Sequence, residues 1–197
     1  MICTLAEVKT RLEISVATWD AMLTQMITAV GARFDAFTGR RLEYEAQHAQ
    51  VFPAFMTSLC ADAYPMGAVA KWEVLESVAE GWVEVTAPGY LAGPTSPVLQ
   101  LDKPLGSDGD LLRLTYPGGY LFPGSSPPAP PAWQPSTLPE ALHYAAIEQV
   151  AQWYQLKGSA GVSRVENISG VYWTLADSLL VPWVRLVLKQ YRRMGVI

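Results

Sequence analysis

Hydrophobic residues recur at helical spacing near both ends of the chain. In the longest such run, an apolar stripe repeats at i, i+3 and i+4, as on one face of an α-helix. Its members are Leu142, Ala146, Ile147, Val150, Trp153 and Tyr154. Thr137 and Glu140 have the spacing of a capping box at its start, and Gly158 suits a left-handed exit at its end. We therefore predict a core helix here, with Trp153 and Tyr154 buried.

Three further helices are expected, two near the start of the chain and one near its end. Thr4 and Glu7 form another capping box, which predicts a short helix after Thr4. A longer helix follows, with Thr18 as its expected cap and Gly39 as its end. The last helix is expected to begin at Pro182, because proline suits the first helical turn. The apolar stripes are Met22, Leu23, Met26, Ile27, Val30, Phe34 and Phe37 in the longer helix, and Val184, Val187, Leu188 and Tyr191 in the last.

The hydrophobic periodicity changes to two between the helical ends, which indicates β-strands. The alternation is clearest around Trp72 and Val74, and again through Leu112, Leu114 and Tyr116. Turn-forming pairs separate these runs; they are Glu80-Gly81, Pro88-Gly89, Gly93-Pro94 and Asp108-Gly109. We therefore predict a small antiparallel sheet of four to six strands over residues 43–116.

Residues 117–136 contain seven of the fifteen prolines, so this segment is expected to be extended and to have no core of its own. Its aromatic residues would anchor it to a surface, either of its own subunit or of a neighbouring one. Two arginines that follow the second helix are also candidate contacts, although they equally suit the negative end of that helix. The candidate subunit-interface residues are Tyr120, Phe122, Trp133, Arg40 and Arg41.

This order of elements predicts an α+β fold. Two N-terminal helices plus two C-terminal helices, in residues 1–42 and 137–197, would form an α-helical bundle body. A small antiparallel β domain, residues 43–116, would be inserted into it. Residues 117–136 would be a Pro-rich extended arm.

Composition adds a hint of self-association. Only 16% of the residues are charged, against a usual fraction of about 25%, while half are hydrophobic. A well-filled core and a buried contact between subunits explain this equally well. The net charge of −4 is concentrated in residues 42–136, which carry three basic and ten acidic side chains. Tight nucleic-acid binding is not expected there, because affinity for phosphates comes from Lys and Arg.

Catalytic and cofactor-binding patterns are missing from the sequence. Neither His48 nor His143 has metal ligands at the usual spacing, and there is no phosphate-binding glycine loop or nucleophile elbow. No cofactor, metal or catalytic residue is therefore expected. Cys3 and Cys60 form no disulfide pattern, so a reducing compartment is expected. Charged residues from Glu7 onwards speak against a signal peptide, and no apolar run is long enough for a membrane span.

Three segments resemble the head-to-tail connector proteins of tailed bacteriophages, also called adaptors or head completion proteins. The chain from Leu5 to Leu42 is similar to their two N-terminal helices, with Phe37-Thr38-Gly39-Arg40 in place of a "YTGR"-like end. Leu138–Leu142 with Val150–Tyr154, and Val184–Arg193, are similar to their later helices. The segment from Leu114 to Tyr120 fits longer members with a β insertion. The order and spacing of these motifs carry the resemblance, which covers about half of the chain.

The resemblance implies a structural virion protein rather than an enzyme. Such proteins form a ring, usually of twelve copies, between the portal and the next tail or stopper protein. They are assembled in the cytoplasm of the bacterial host and end up in the neck of the virion, without a membrane. Double-stranded DNA passes through the ring during packaging and ejection without specific binding, and an acidic channel wall would suit that passage.

The C-terminal segment is the expected portal contact, because the resemblance implies that this part of a connector reaches the portal. Its basic residues would bind acidic groups of the portal, and its apolar residues would enter pockets. The portal-binding candidates are Arg185, Lys189, Tyr191, Arg192, Arg193, Met194 and Ile197. Basic residues also stabilise a helix C-terminus, which is the simpler explanation for the arginines.

Two other classes of protein stay open at this point. A DNA-packaging ring that binds DNA, similar to a small terminase, would need a basic helix-turn-helix, whereas residues 1–41 carry only one net positive charge. An enzyme such as a tail-associated hydrolase would need paired carboxylates or a nucleophile in a cleft.

Overall fold

The computed structural model describes residues 1–92, 96–129, 132–157 and 180–193, and the backbone alone of residues 164–166 and 172–174. The helices in these residues are α1 (Leu5–Leu12), α2 (Asp20–Thr38), α3 (Glu140–Leu156) and α4 (Pro182–Gln190), with a 3₁₀ turn at Ala17–Trp19. The strands are β1 (Glu45–Pro53), β2 (Ser58–Cys60), β3 (Lys71–Leu75), β4 (Val83–Glu84), β5 (Tyr90–Ala92), β6 (Val98–Leu101), β7 (Leu111–Gly118), β8 (Arg164–Glu166) and β9 (Tyr172–Thr174). Helices and antiparallel strands lie largely in separate parts of the chain, so the predicted α+β class is confirmed.

Two compact units make up the chain. The first, which we call the helical unit, contains Met1–Phe34 and Pro139–Tyr191. The second, which we call the β unit, contains Asp35–Leu138 together with Arg192 and Arg193. The last turn of α2 therefore belongs to the β unit, and so do two of the C-terminal arginines.

Local capping chemistry sets the first helix, as predicted. The Thr4 hydroxyl accepts the Glu7 backbone N–H at 3.3 Å, and the Glu7 carboxylate accepts the Thr4 backbone N–H at 2.7 Å. This complete capping box satisfies two backbone donors that the helix itself leaves unpaired. The end of α2 at Gly39, with φ +65°, is confirmed, but its start differs. A 3₁₀ turn, rather than a cap at Thr18, leads into Asp20.

The predicted cap of α3 at Thr137 is wrong. Residues 136–138 are extended and pair with Leu121, whose N–H donates to the Ser136 carbonyl at 2.8 Å and whose carbonyl accepts the Leu138 N–H at 3.0 Å. A residue that precedes proline is also disfavoured in helical conformation, which holds Leu138 out of the helix. Consequently α3 begins at Glu140, with Pro139 in the cap position and no side-chain cap.

The buried face of α3 is rotated from the predicted stripe. Its buried residues are Leu142, Ala145, Ala146, Gln149, Val150 and Ala151. Within the helical unit, α3 contacts both α1 and α4. Alanines on the buried face allow close helix packing, and the two large aromatics then fall at its side. Trp153 and Tyr154 are only half-buried, so their predicted burial is wrong in degree. Tyr154 instead packs edge-on against Trp19, with ring centroids 6.1 Å apart.

The β unit contains two sheets where one was predicted. Four strands pair in the order β1-β7-β3-β4, and three pair in the order β2-β6-β5, all antiparallel. The large side chains of the hydrophobic core of this unit are Phe52, Leu59, Trp72, Val74, Leu99, Leu101, Leu112, Leu114 and Tyr116. The alternation along β7 is confirmed, because Leu112, Leu114 and Tyr116 are buried while Arg113 and Thr115 are half-buried.

Two glycines at the end of β7 allow the chain to pass close to neighbouring backbone. A Cβ on Gly118 would lie 2.3 Å from the Ala63 carbonyl oxygen. A Cβ on Gly119 would lie 2.5 Å from the Glu43 carbonyl oxygen, and its φ of +98° also favours glycine. At Pro117-Gly118-Gly119 the chain is therefore packed tightly against neighbouring backbone and does not form a flexible linker.

A carboxylate is buried on the face of the four-stranded sheet that lies away from the core. Glu73 accepts hydrogen bonds from Arg113 and Lys71, each at 2.8 Å, and its side chain is 6% exposed. The ring of Trp82 lies over the Arg113 guanidinium at 4.4 Å. The bonds from Arg113 and Lys71 lower the pKa of Glu73 from 4.5 to about 2. This cluster keeps the carboxylate ionised although little water reaches it.

We predict that Leu114→Ala destabilises the protein by about 2–5 kcal/mol, because Leu114 is fully buried in β7, an inner strand of the larger sheet. Leu91→Ala is the matched control, since Leu91 is 78% exposed and its truncation should cost less than about 0.5 kcal/mol. Urea unfolding followed by tryptophan fluorescence measures both. Equal costs for the two variants would contradict the assignment of the core.

The Glu73 cluster predicts a pH-dependent stability difference. A lowered folded-state pKa adds stability above pH 4.5, and this is lost as pH falls towards 2. The stability of the wild type minus that of Glu73→Gln should therefore be positive at pH 7 and shrink between pH 4.5 and 2. Glu84→Gln serves as control, because Glu84 is 67% exposed and its nearest Lys71 contact is 3.8 Å. A difference that stays constant with pH would count against the cluster. Urea unfolding at a series of pH values provides the measurement.

Candidate functional site

Arg193, the last residue of the C-terminal segment that resembles connectors, meets the Phe37-Thr38-Gly39-Arg40 motif at the last turn of α2, inside the β unit. The Gly39 N–H donates to the Asp35 carbonyl at 2.9 Å, which closes the helix in a left-handed turn. The Arg193 N–H donates to the Thr38 carbonyl at 2.7 Å, and the Arg193 guanidinium donates to the Cys60 carbonyl. A C-terminal arginine thus satisfies an acceptor that the end of a helix leaves unpaired.

Arg40 is buried in the β unit, with 4% of its surface exposed. Its guanidinium lies 3.3 Å from the ring centroid of Tyr64 and 5.4 Å from that of Tyr120, and it donates to the Tyr64 carbonyl. Tyr120 is itself paired through its backbone, since its N–H donates to the Leu42 carbonyl at 2.7 Å. Two candidate interface residues, Arg40 and Tyr120, are therefore brought together within one subunit by a cation–π contact.

Arg41 faces outward beside the buried Arg40. Its side chain is 47% exposed and pairs with Glu45 at 2.7 Å and Asp35 at 3.3 Å. The hydrogen bond to Glu45 raises the pKa of Arg41, so the residue stays charged. Burial raises the pKa of Asp35, whose carboxylate also accepts the Leu42 N–H at 3.1 Å. Asp35 therefore holds the turn with two groups: its backbone carbonyl accepts the Gly39 N–H, and its carboxylate accepts the Leu42 N–H.

A polar network around His48 continues from this turn. The His48 Nδ1 atom lies 2.8 Å from Glu45 Oε2, and the Nε2 atom lies 2.7 Å from Asp62 Oδ1. The Tyr116 hydroxyl donates to Gln50 Oε1 at 2.7 Å and lies 3.2 Å from Asp62 Oδ1. Burial raises the pKa of Tyr116, so its hydroxyl keeps its proton. Sequence reasoning missed this network, because Asp62 reaches His48 only through the fold. The local sequence feature that comes closest to indicating this network is the three-residue spacing of Glu45 and His48.

Two aromatic residues of the Pro-rich segment contact their own unit. Phe122 is buried, with 6% of its surface exposed, and Trp133 is half-buried. The Trp133 ring lies 6.2 Å from that of Tyr44, and a Cβ on Gly67 would come within 2.8 Å of the Trp133 ring. The described residues from Gly124 to Ala129 are mostly exposed. The segment is thus attached on both sides of its proline-rich centre.

The portal-binding candidates divide between the two units. On α4, Val184 and Leu188 are buried, while Arg185 and Lys189 are exposed. Tyr191 is half-buried at the end of the helical unit. In the β unit Arg192 is exposed and Arg193 is half-buried. Met194 and Ile197 lie outside the described residues.

Exposed apolar side chains lie beside the basic residues of α4. Leu186 is 62% exposed and Trp183 is 37% exposed. The Trp183 ring packs against Tyr144 of α3, with ring centroids 5.8 Å apart. The exposed face of α4 therefore combines positive charge with apolar surface.

The described residues contain no group of three or more His, Cys, Asp or Glu side chains placed to hold a metal ion. Burial raises the pKa of the Cys3 thiol to about 12, so it is a poor nucleophile. None of the described helices is both long and apolar enough to span a membrane.

Comparison with solved structures identifies particle necks that contain this fold. No family model and no curated protein matches the chain. The neck of an empty GTA particle computed with C6 symmetry contains a similar chain, with TM-score 0.60 and 17% identity. The virion of a native gene transfer agent particle gives 0.63 and 17%, and the neck of the native particle computed with C12 symmetry gives 0.59 and 18%. Each comparison covers 98% of this chain and 90% of the other.

The structural neighbours thus come from phage-like gene transfer agent particles, two of them described as the neck. The shared fold is consistent with the head-to-tail connector family that the sequence resembles.

Arg40→Ala should destabilise the protein by about 3–5 kcal/mol, because it leaves the buried Tyr64 carbonyl without this donor, at a cost of about 1–3 kcal/mol, and removes a desolvated cation–π contact of about 2 kcal/mol. Arg41→Ala is the matched neighbour and should cost about 1 kcal/mol or less, since its ion pairs are partly exposed. Arg40→Lys should recover only part of the loss, because an ammonium cannot stack on Tyr64 as a planar guanidinium does. Thermal and urea unfolding measure all three. Similar losses at Arg40 and Arg41 would contradict the buried role of Arg40.

Proposed function

We propose that this protein is a structural virion protein that forms a ring adaptor between the portal and the tail. In this role it extends the DNA channel and docks the next tail component. The observation that carries the proposal is the fold, which matches chains of particle necks over 98% of this chain. The match includes both the helical ends and the β unit, so it does not rest on a common submotif.

The same comparison supports a ring of identical subunits. Two of the similar neck structures were computed with C6 and C12 symmetry. A cyclic ring uses one heterologous contact repeated around the axis, so each copy presents two different surfaces. We infer twelve copies here, in line with the resemblance. The low fraction of charged residues is compatible with such contacts.

In this proposal residues 1–42 and 137–197 form a helical bundle body, residues 43–116 form the β domain, and residues 117–136 form an arm. The contacts of α3 with α1 and α4 support the body. Arg41, Tyr120 and Trp133 retain exposed surface for a neighbouring copy, whereas Arg40 and Phe122 are buried.

The proposed portal contact uses the exposed face of α4 and the chain that follows it. Arg185, Lys189 and Arg192 supply charge, and Tyr191, Met194 and Ile197 supply apolar surface. The role of Arg193 is different, because its guanidinium already donates within its own unit. DNA passes the acidic β unit without specific binding. The protein acts without catalysis or cofactor, in the neck of a particle assembled in the bacterial cytoplasm.

The test is a variant with Lys189→Glu and Arg192→Glu, supplied to particles that lack the wild-type protein. Both residues are exposed, so the chain should fold with an unchanged melting temperature. We expect heads without tails that leak DNA, seen by electron microscopy and by nuclease sensitivity of the genome. Lys103→Glu is the control, because it reverses an exposed charge in a loop of the β unit and should give normal particles.

If the double variant gives normal necks, the portal contact lies elsewhere, and the N-terminal helices are the next candidate. If the wild-type protein is missing from necks and instead retains DNA with a steep salt dependence, the alternative of a DNA-packaging ring is correct.

A further inference from the structure

The two sheets of the β unit share one hydrophobic core and lie with matching ends together. The strand order is β1-β7-β3-β4 in the larger sheet and β2-β6-β5 in the smaller one. At one end, the Gln50 amide of β1 donates to the Cys60 carbonyl of β2 at 3.2 Å. Near the other end, the ring centroid of Trp72 on β3 lies 5.4 Å from that of Tyr90 on β5. The unit therefore has two open sides, one formed by β1 and β2 and the other by β4 and β5.

Exposed apolar side chains lie on the first of these sides. Val51 is on β1, and Phe55 comes just after the end of this strand. Leu111 of β7 is also exposed, and it lies beside β1 because it is paired with Pro53. We call Val51, Phe55 and Leu111 the β1 patch.

The second open side carries three further exposed apolar side chains. Val78 lies in the turn between β3 and β4, Val83 on β4 and Leu91 on β5. We call these three residues the β4 patch. The two patches together contain all the large hydrophobic side chains that the structure describes as exposed in the β unit. These side chains are therefore grouped at the two ends of the sheets and are not scattered singly over the surface.

The backbone at both edges is poorly suited to pairing with another strand. The strands β4 and β5 have only two and three residues. The ladder of β1 is irregular between Glu45 and His48, and the strand ends at Pro53. Short strands, bulges and prolines at an edge hinder another chain from extending the sheet. A contact at these edges therefore depends on side chains, which makes the two patches its main source of buried apolar surface.

Charge favours contact between unlike patches. Glu76, Glu80 and Glu84 are exposed around the β4 patch, so two β4 patches that met would bring six carboxylates together. Residues 46–55 of the β1 side contain no Asp or Glu and would not repel them. Two β1 patches could meet, but such a pair would close as a dimer and leave both β4 patches uncovered.

We propose that the β1 patch of one copy binds the β4 patch of the next copy, and that this contact is repeated around the ring. The partner is thus a second copy of this chain. The inference rests on the proposed ring and names two surfaces that join its subunits, in addition to Arg41, Tyr120 and Trp133. A cyclic ring needs two different surfaces on each copy, and these patches lie at opposite ends of the strand order. Burying apolar side chains from both copies supplies the driving force.

The wild-type chain by itself provides the first test. Amide NMR spectra of the isotope-labelled chain are recorded as its concentration rises to about the millimolar range, where even weak contacts are populated. Signals of both patches should shift together, while the amide of Val8, buried in the helical unit, stays constant. Shifts confined to one patch, or no shift in either patch, would overturn the proposal. No substitution is involved, so the result does not depend on how any variant folds.

Two one-sided variants test whether the patches bind each other. Val51→Asp disables the β1 patch and Leu91→Asp disables the β4 patch. Each variant alone should self-associate at least about tenfold more weakly than the wild type, because a carboxylate would be buried against apolar side chains. An equimolar mixture should form a dimer with one copy of each variant and grow no further. In that dimer the intact β4 patch of the first variant binds the intact β1 patch of the second. Sedimentation equilibrium measures the masses.

Val16→Asp is the matched control for Val51→Asp. The two valines are 54% and 49% exposed, but Val16 lies in the helical unit, so this variant should self-associate as the wild type does. A mixture of the one-sided variants that stays monomeric, or an equal loss with Val16→Asp, would contradict the contact. Both experiments use the isolated chain. A negative result therefore removes this contact and leaves the proposed place in the neck standing, whereas absence of the wild-type protein from necks would refute only the latter.

Discussion

The carbonyl groups at the end of α2 need hydrogen-bond donors, and the way they obtain them determines the turn that follows. A helix leaves its last four carbonyls without partners of its own. Gly39 closes the helix with a left-handed turn, and the backbone N–H of Arg193 supplies a donor from the far end of the sequence. The Asp35 carboxylate then holds the Leu42 N–H. These bonds fix the direction in which the chain enters the β unit.

That direction explains why two adjacent arginines have different roles. Arg40 enters between Tyr64 and Tyr120, where aromatic faces and a carbonyl replace its water. Arg41 remains at the surface with carboxylate partners on either side. The positive charge of both also suits the negative end of the helix dipole. A turn that contributes to the stability of its own unit can at the same time present a fixed charged surface to a partner.

The proposed function and the internal structure make separate demands on the C-terminal residues. Arg193 satisfies acceptors of its own β unit, whereas Lys189 and Arg192 have exposed side chains. Leu186 on α4 is also exposed, so the proposed portal contact would use both charge and apolar surface. The segment Val184–Arg193 therefore contains one arginine, Arg193, that binds within its own unit, beside basic residues whose side chains are exposed. Only the tertiary contacts distinguish the two kinds of residue.

Short-range features were predictable from the sequence because their causes lie within a few residues. The capping box at Thr4, the exit at Gly39 and the start of α4 at Pro182 each depend on local hydrogen bonds or on restricted backbone angles. The alternation along β7 follows from the period of a strand with one buried face. The resemblance to connector proteins also rested on such local motifs and their order.

Contacts between distant parts of the chain decided what the sequence did not show. Thr137 has good capping chemistry, yet pairing of its neighbours with Leu121 keeps it extended. The rotation of α3 depends on which helices pack against it, and the division into two sheets depends on strand pairing. The approach of Asp62 to His48 joins residues that no spacing rule connects. The sequence by itself determined the local elements and their order, because propensity and capping act over one or two turns. The tertiary structure alone decided which charges meet, because that requires the chain to have folded.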